Sequence, residues 1–190
     1  MIQATASADA PRNSLLMVAA GGVLSGILTP LMVPLIDRIG GGPGDLRIAL
    51  VAVPFAVLVF VLVRRCSANP GWAALAAAIV TMVAFVGAVN AAIWIDGQTN
   101  GADRLMRNIL AGLAGGFIGS AVMALGIGLL PAGPRDAVVW VRMLLTGTVA
   151  GALLALDNVL GLDLSSVLFP LWQAGVAVRL VMVLRRARTS

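Results

Sequence analysis

The sequence predicts an all-α polytopic membrane protein with six transmembrane helices and both termini in the cytoplasm. Three observations lead there. Of 190 residues, 60% are hydrophobic and 11% charged, against about 45–50% and about 25% in soluble domains. Mean hydropathy is +1.02. The apolar residues gather into six runs, each close to the roughly 20 residues that cross hydrocarbon. A soluble core cannot absorb that excess, so lipid is the solvent for much of the chain. In lipid only helices and closed barrels satisfy their own backbones, and these runs are too long for barrel strands.

The runs follow in order. Residues 1–13 read as a short disordered tail, 14–186 as one six-helix transmembrane domain, and 187–190 as a short cytoplasmic tail. The first span, 14–36, is longer than a signal-peptide core and so reads as a spanning helix. Its TPLMVP stretch (29–34) carries Pro30 and Pro34, which are expected to bend its outer end. The second span, 46–63, contains Pro54 and ends on Arg64-Arg65. The third, 72–95, carries Asn90 near its outer end, and the fourth, 105–130, is rich in glycine. The fifth, 137–156, holds Arg142; the sixth, 164–184, holds Pro170, Gln173 and Arg179 and ends at Arg185-Arg186.

Arginine placement sets the orientation. Arg12, Arg64, Arg65, Arg135, Arg185, Arg186 and Arg188 gather on one side of this threading. Positive charge favours the cytoplasmic face, which suits a multi-pass protein of the inner membrane. The opposite side holds Arg38, Arg47, Arg104 and Arg107, with six aspartates.

Those aspartates come in pairs. IDRIGGGPGD (36–45), IDGQTNGAD (95–103) and LDNVLGLD (156–163) each open and close on Asp. Asp45, Asp103 and Asp163 stand just before a new span, where Asp is a favoured N-cap and meets the positive end of the helix dipole. Asp37, Asp96 and Asp157 end the preceding spans, where capping gives no account of them. They pair with Arg38, Arg104 or Arg107, or ring an outer mouth that draws cations, or only mark the outer face.

The near-constant spacing of these pairs suggests three tandem hairpins. A rival alignment sets AAGGVLSG (19–26) on LAGGFIGS (113–120), which makes two three-span halves of inverted topology. Six evenly spaced helices also show such periodicity with no repeat at all.

Glycines four apart leave grooves that let another helix backbone approach. Gly22 and Gly26 form such a pair in the first span, Gly112 and Gly116, then Gly115 and Gly119, in the fourth, and Gly147 and Gly151 in the fifth. They point to close packing inside one bundle, or to a seam between copies or with a partner membrane subunit.

Ionisable groups inside spans are costly and mark functional candidates. Arg142 and Arg179 fall at one depth if their helices pair. Together they line a cytoplasmic vestibule and hold an anion, which the guanidinium fork suits, or each snorkels to the headgroups. Gln173 is the most central polar side chain; with Asn90 it is a candidate solute contact or an interhelical bridge.

All basic residues are Arg and all acidic ones Asp; there is no His or Tyr, and Cys66 is the lone cysteine. No imidazole base, Cys–His pair or thiolate or imidazole metal cage can be built. We nominate no catalytic residue, metal ligand or cofactor, and the arginines form no nucleic-acid stripe. The expected function is a small permease or channel for a small polar or anionic solute. The alternative is a non-enzymatic subunit or anchor of a larger membrane complex.

Overall fold

A computed structural model of the chain describes residues 6–39, 44–161 and 166–189. Every regular element among them is an α-helix: α1 (Ala6–Arg38), α2 (Gly44–Val51), α3 (Val53–Cys66), α4 (Gly71–Gln98), α5 (Arg104–Gly128), α6 (Ala137–Gly151), α7 (Leu154–Leu160) and α8 (Leu168–Thr189). Five stretches are long and apolar enough to cross a membrane: Ser14–Arg38, Gly71–Gln98, Arg104–Gly128, Ala137–Leu160 and Leu168–Ala187. The bent pair α2–α3 makes a sixth if it counts as one crossing. Large apolar side chains such as Leu125, Leu129 and Val149 stand exposed around the bundle. This is the architecture of a multi-pass membrane protein.

The sharpest break lies in the second run. α2 and α3 meet at a bend of 55°. Pro54, near the start of α3, lacks the N–H that would bond the carbonyl of Leu50, and its ring crowds that carbonyl. The Ala52 N–H bonds Ala49 O at 3.1 Å instead, a tighter turn. By contrast, α1 runs without interruption through Pro30 and Pro34. Between α6 and α7 the ladder also tightens: Ala152 N–H bonds Val149 O at 3.2 Å and Leu153 N–H bonds Ala150 O at 3.1 Å. Gly161 ends α7 with φ of +63°, a left-handed conformation that glycine adopts without strain.

Consecutive spans run antiparallel. The Arg185 guanidinium donates to Ser14 Oγ at 3.0 Å, so the start of the first apolar run and the end of α8 lie together. With Arg64 and Arg65 at the end of α3, they define an arginine end of the bundle. Asp37, Asp96 and Asp103 define the opposite, aspartate end. The two helix breaks both lie toward the aspartate end. Inverted halves would send matching breaks to opposite ends.

The apolar core is densest toward the arginine end. Val59 and Val63 of α3, Ala73 and Ala77 of α4, Met123 and Ile127 of α5, and Leu180 and Leu184 of α8 belong to one buried cluster. Closer to the aspartate end, contact depends on small residues. A Cβ on Gly22 or Gly26 would run into the backbone of Ala174 or Pro170 in α8. α5 is packed on two faces: Gly112 and Gly116 meet Gly151 and Gly147 of α6, while Gly115 and Gly119 meet Ala88 of α4. Such contact replaces the hydrophobic drive that is absent between helices in lipid.

Candidate functional site

Most deep polar groups are engaged inside the protein. Gln173 is 1% exposed. Its Oε1 accepts from Ser25 Oγ at 2.6 Å and its amide donates to Thr29 Oγ1 at 2.8 Å. Thr29 Oγ1 in turn donates to Ser25 O at 2.9 Å. The network ties α8 to α1 beside the Gly22 and Gly26 contacts, so a solute reaching Gln173 would have to displace those bonds. Asn90 is exposed, near the aspartate end, and donates to Asp45 Oδ1 at 3.2 Å.

The aspartates divide differently from the sequence expectation. Asp37 pairs with Arg47 at 2.5 Å, rather than with Arg38. Asp96 receives Arg107 bidentately, with Nη2 at 2.8 Å from each carboxylate oxygen. Asp157 is buried and does cap a helix, though not its own. It accepts from Val167 N–H at 2.8 Å, Leu168 N–H at 3.3 Å and the Ser166 hydroxyl, at the start of α8. A carboxylate there meets the free N–H groups and the positive end of α8. Asp103 caps α5 through Met106 N–H at 2.9 Å, as its spacing predicts. Asp45 lies in the first turn of α2, and Asp163 lies outside the described residues. Asp136, which the sequence reading passed over, caps α6 through Val138 N–H at 2.9 Å. The Asp96 pair is half-exposed, so Asp96→Ala is expected to cost under about 1 kcal/mol, read as a small shift in thermal unfolding.

Two openings stand out among the described residues, toward opposite ends of the α6–α8 contact. At the arginine end, Arg142 of α6 and Arg179 of α8 come together with Arg186 around a shallow cleft of about 30 Å³. Among the described residues the rest of the lining is Val139, Met182 and Val183. Toward the aspartate end, a cavity of about 230 Å³ lies among α4, α5, the α6–α7 joint and the start of α8. Leu154 stands on one side and Phe169 and Trp172 on the other; Gly112, Gly115, Gly116 and Gly151 leave its floor bare of side chains. Among the described residues no charged side chain lines it. Between the openings the seam is closed. Met143 and Val176 are fully buried, and a Cβ on Gly175 would meet Thr146 Cγ2 at 3.2 Å.

The structure thus brings Arg142 and Arg179 together and leaves Gln173, Asn90 and the aspartates apart from them. One residue of this region carried no sequence signal. Ser120, one turn beyond Gly116 on the same face of α5, is fully buried against Gly147. Its Oγ has no hydrogen-bond partner among the described residues. A serine among glycines and alanines reads as another small packing residue, and only the fold shows the hydroxyl unpaired.

No protein-family pattern matches the chain, and no curated protein or solved structure is significantly similar to it.

Proposed function

We propose that the chain is a six-span inner-membrane permease that moves a small anionic solute along the α6–α8 seam, with the arginine end in the cytoplasm. One observation carries the reading. Arg142 and Arg179 converge at one mouth of a seam whose other mouth is the apolar cavity, and a packed layer closes the middle. Paired guanidinium groups attract carboxylate or phosphate. Openings at both ends with a closed middle suit access to one side at a time. The α2–α3 break and the tightened α6–α7 joint supply places where helix ends can shift. The orientation follows from arginine excess at one end.

Flux tests the mechanism. In liposomes, Arg142→Gln with Arg179→Gln is expected to cut uptake of a small carboxylate or phosphate at least roughly tenfold, since each charge-assisted hydrogen bond contributes about 1.5–3 kcal/mol. Unchanged uptake removes the site. Cysteine labelling tests the orientation. With an impermeant thiol reagent on intact cells, Asn100→Cys is expected to react and Cys66 to stay unmodified. The reverse pattern inverts the topology.

A second reading rests on a different observation. Gln173, Asp37, Asp96 and Asp157 are all bonded within the protein, as in a non-enzymatic subunit or anchor of a larger complex that conducts nothing itself. Purification from native membranes in a gentle detergent distinguishes these. A stoichiometric partner supports the subunit; the chain alone, or with copies of itself, supports the permease.

A further inference from the structure

We infer that the cavity among α4, α5, the α6–α7 joint and α8 is a binding site for a flat, fused-ring apolar compound dissolved in the bilayer. The site goes beyond the permease reading and does not rest on solute movement.

Size and shape point to a ring system. A cavity of about 150 Å³ lined by Leu, Ile and Phe takes up benzene. At about 230 Å³ this one is roughly one and a half times as large, the room that two fused rings need. Its floor is the bare backbone of Gly112, Gly115 and Gly116, and Phe85, Phe169 and Trp172 supply aromatic walls. Those rings are held in place. Phe85 of α4 and Phe169 of α8 pack together with centroids 5.9 Å apart and planes tilted by 35°. Phe55 of α3, itself buried, meets Trp172 edge to face at 5.6 Å. A Cβ on Gly119 would stand 3.7 Å from Trp172 Cζ2, so the indole abuts α5 and closes the cavity toward the arginine end. A flat molecule can lie on the glycine floor and meet rings already set to receive it, which spares the cost of arranging them.

Depth names the source. The Asp96–Arg107 ion pair marks the polar end of α4 and α5. Ala111 of the cavity wall lies four residues below it along α5, about 6 Å, and Phe85 eleven residues below it along α4, about 17 Å. Half a hydrocarbon core is about 15 Å, so the cavity lies at the depth of one leaflet's acyl chains. Compounds dissolved in lipid are the ones at hand there. Acyl chains are the abundant competitors, and two effects act against them. Lipid tails are as apolar as the cavity wall, so a chain gains no hydrophobic transfer by moving from one to the other. Confinement also freezes its torsions. A fused ring has no torsions to lose, and against Phe85, Phe169 and Trp172 it gains offset and edge-to-face contacts that an acyl chain does not make.

The test is equilibrium dialysis of radiolabelled naphthalene against the full chain in phosphatidylcholine nanodiscs, with protein-free nanodiscs as the blank. Saturable uptake of one naphthalene per chain above the blank is expected, displaced by unlabelled naphthalene and not by n-octane. Phe85→Leu with Phe169→Leu keeps apolar bulk and removes two rings; it is expected to weaken binding roughly tenfold while the chain still purifies as a monodisperse species. Leu154→Trp, which fills the cavity from the peripheral α7, is expected to abolish binding. If that variant fails to fold, the phenylalanine pair carries the test alone. Uptake no greater than the blank overturns the site. Displacement by n-octane as effective as by naphthalene overturns the ring and makes the cavity a resting place for acyl chains. Unchanged affinity in folded Phe85→Leu with Phe169→Leu shows that the aromatic walls do not recognise the ligand, and unchanged binding in folded Leu154→Trp places it elsewhere; either result overturns the proposal. Small-anion flux in liposomes is read separately, so loss of the permease reading leaves this site standing and the reverse holds too.

Discussion

Gly116→Leu is expected to leave almost no monodisperse protein in detergent. A Cβ at Gly116 already collides with Gly147 O and stands 3.2 Å from Gly151 Cα. Both obstacles are backbone, so no rotamer change can relieve them. α5 and α6 must separate instead, and α5 has no free side to move toward, because Gly115 and Gly119 hold it against α4. Overpacking a core commonly costs about 1–3 kcal/mol; against two backbones at once the expected cost exceeds roughly 3 kcal/mol. Gly101→Leu is the matched control, since nothing stands within 4 Å of a Cβ there. Yield and size-exclusion profile read the result. Equal yield and profile for the two variants would show that the α5–α6 contact does not hold the bundle together.

Asp157→Ala is the second large effect, and it separates two roles for the same carboxylate. As the cap of α8, Asp157 accepts from Val167 N–H, Leu168 N–H and the Ser166 hydroxyl while only 7% exposed. Alanine strands those donors, which costs about 2 kcal/mol, or roughly 4–8 °C in Tm for a chain of this size. Asparagine keeps an acceptor oxygen and is expected to lose about half as much. An acidic ring at an outer mouth predicts something else. Both substitutions remove the charge, so both would reduce cation attraction equally and leave Tm alone. A thermal-shift series on the two variants decides between cap and ring.

How much of this was legible in the sequence depends on what each signal encodes. Hydropathy records contact with lipid, so the long apolar runs translate into long helices with ends within a few residues. Spacing of four in glycine records a shared helix face, so Gly112 with Gly116 and Gly115 with Gly119 were readable as two stripes on the fourth run. Which helix each stripe meets was not, because that depends on residues far away in the chain. Asp157 shows the same limit. Its position at the end of one helix spoke against capping, yet the helix that it caps begins about ten residues later and folds back over it. The expected bend was at Pro30 and Pro34, yet α1 is continuous there and the sharp break falls at Pro54; surrounding helices, rather than the proline alone, decide whether a helix parts. Arg142 and Arg179 were readable as neighbours because antiparallel pairing of the last two spans fixes their depth. The cavity toward the other end was not, since its glycines lie on α5 and α6 and its walls on α4, α7 and α8.

The clasp between α1 and α8 has a consequence in time. Gln173 lies 148 residues from Ser25 and 144 from Thr29. At a synthesis rate of roughly 5–20 residues per second, the first helix waits about 7–30 s in the bilayer before the last one exists. Throughout that wait its two hydroxyls and its glycine groove are open to any other helix that drifts by. A nonsense codon ahead of α8 would release a chain that is nearly complete in length and still unclosed, and the cell's membrane proteases would treat it as waste.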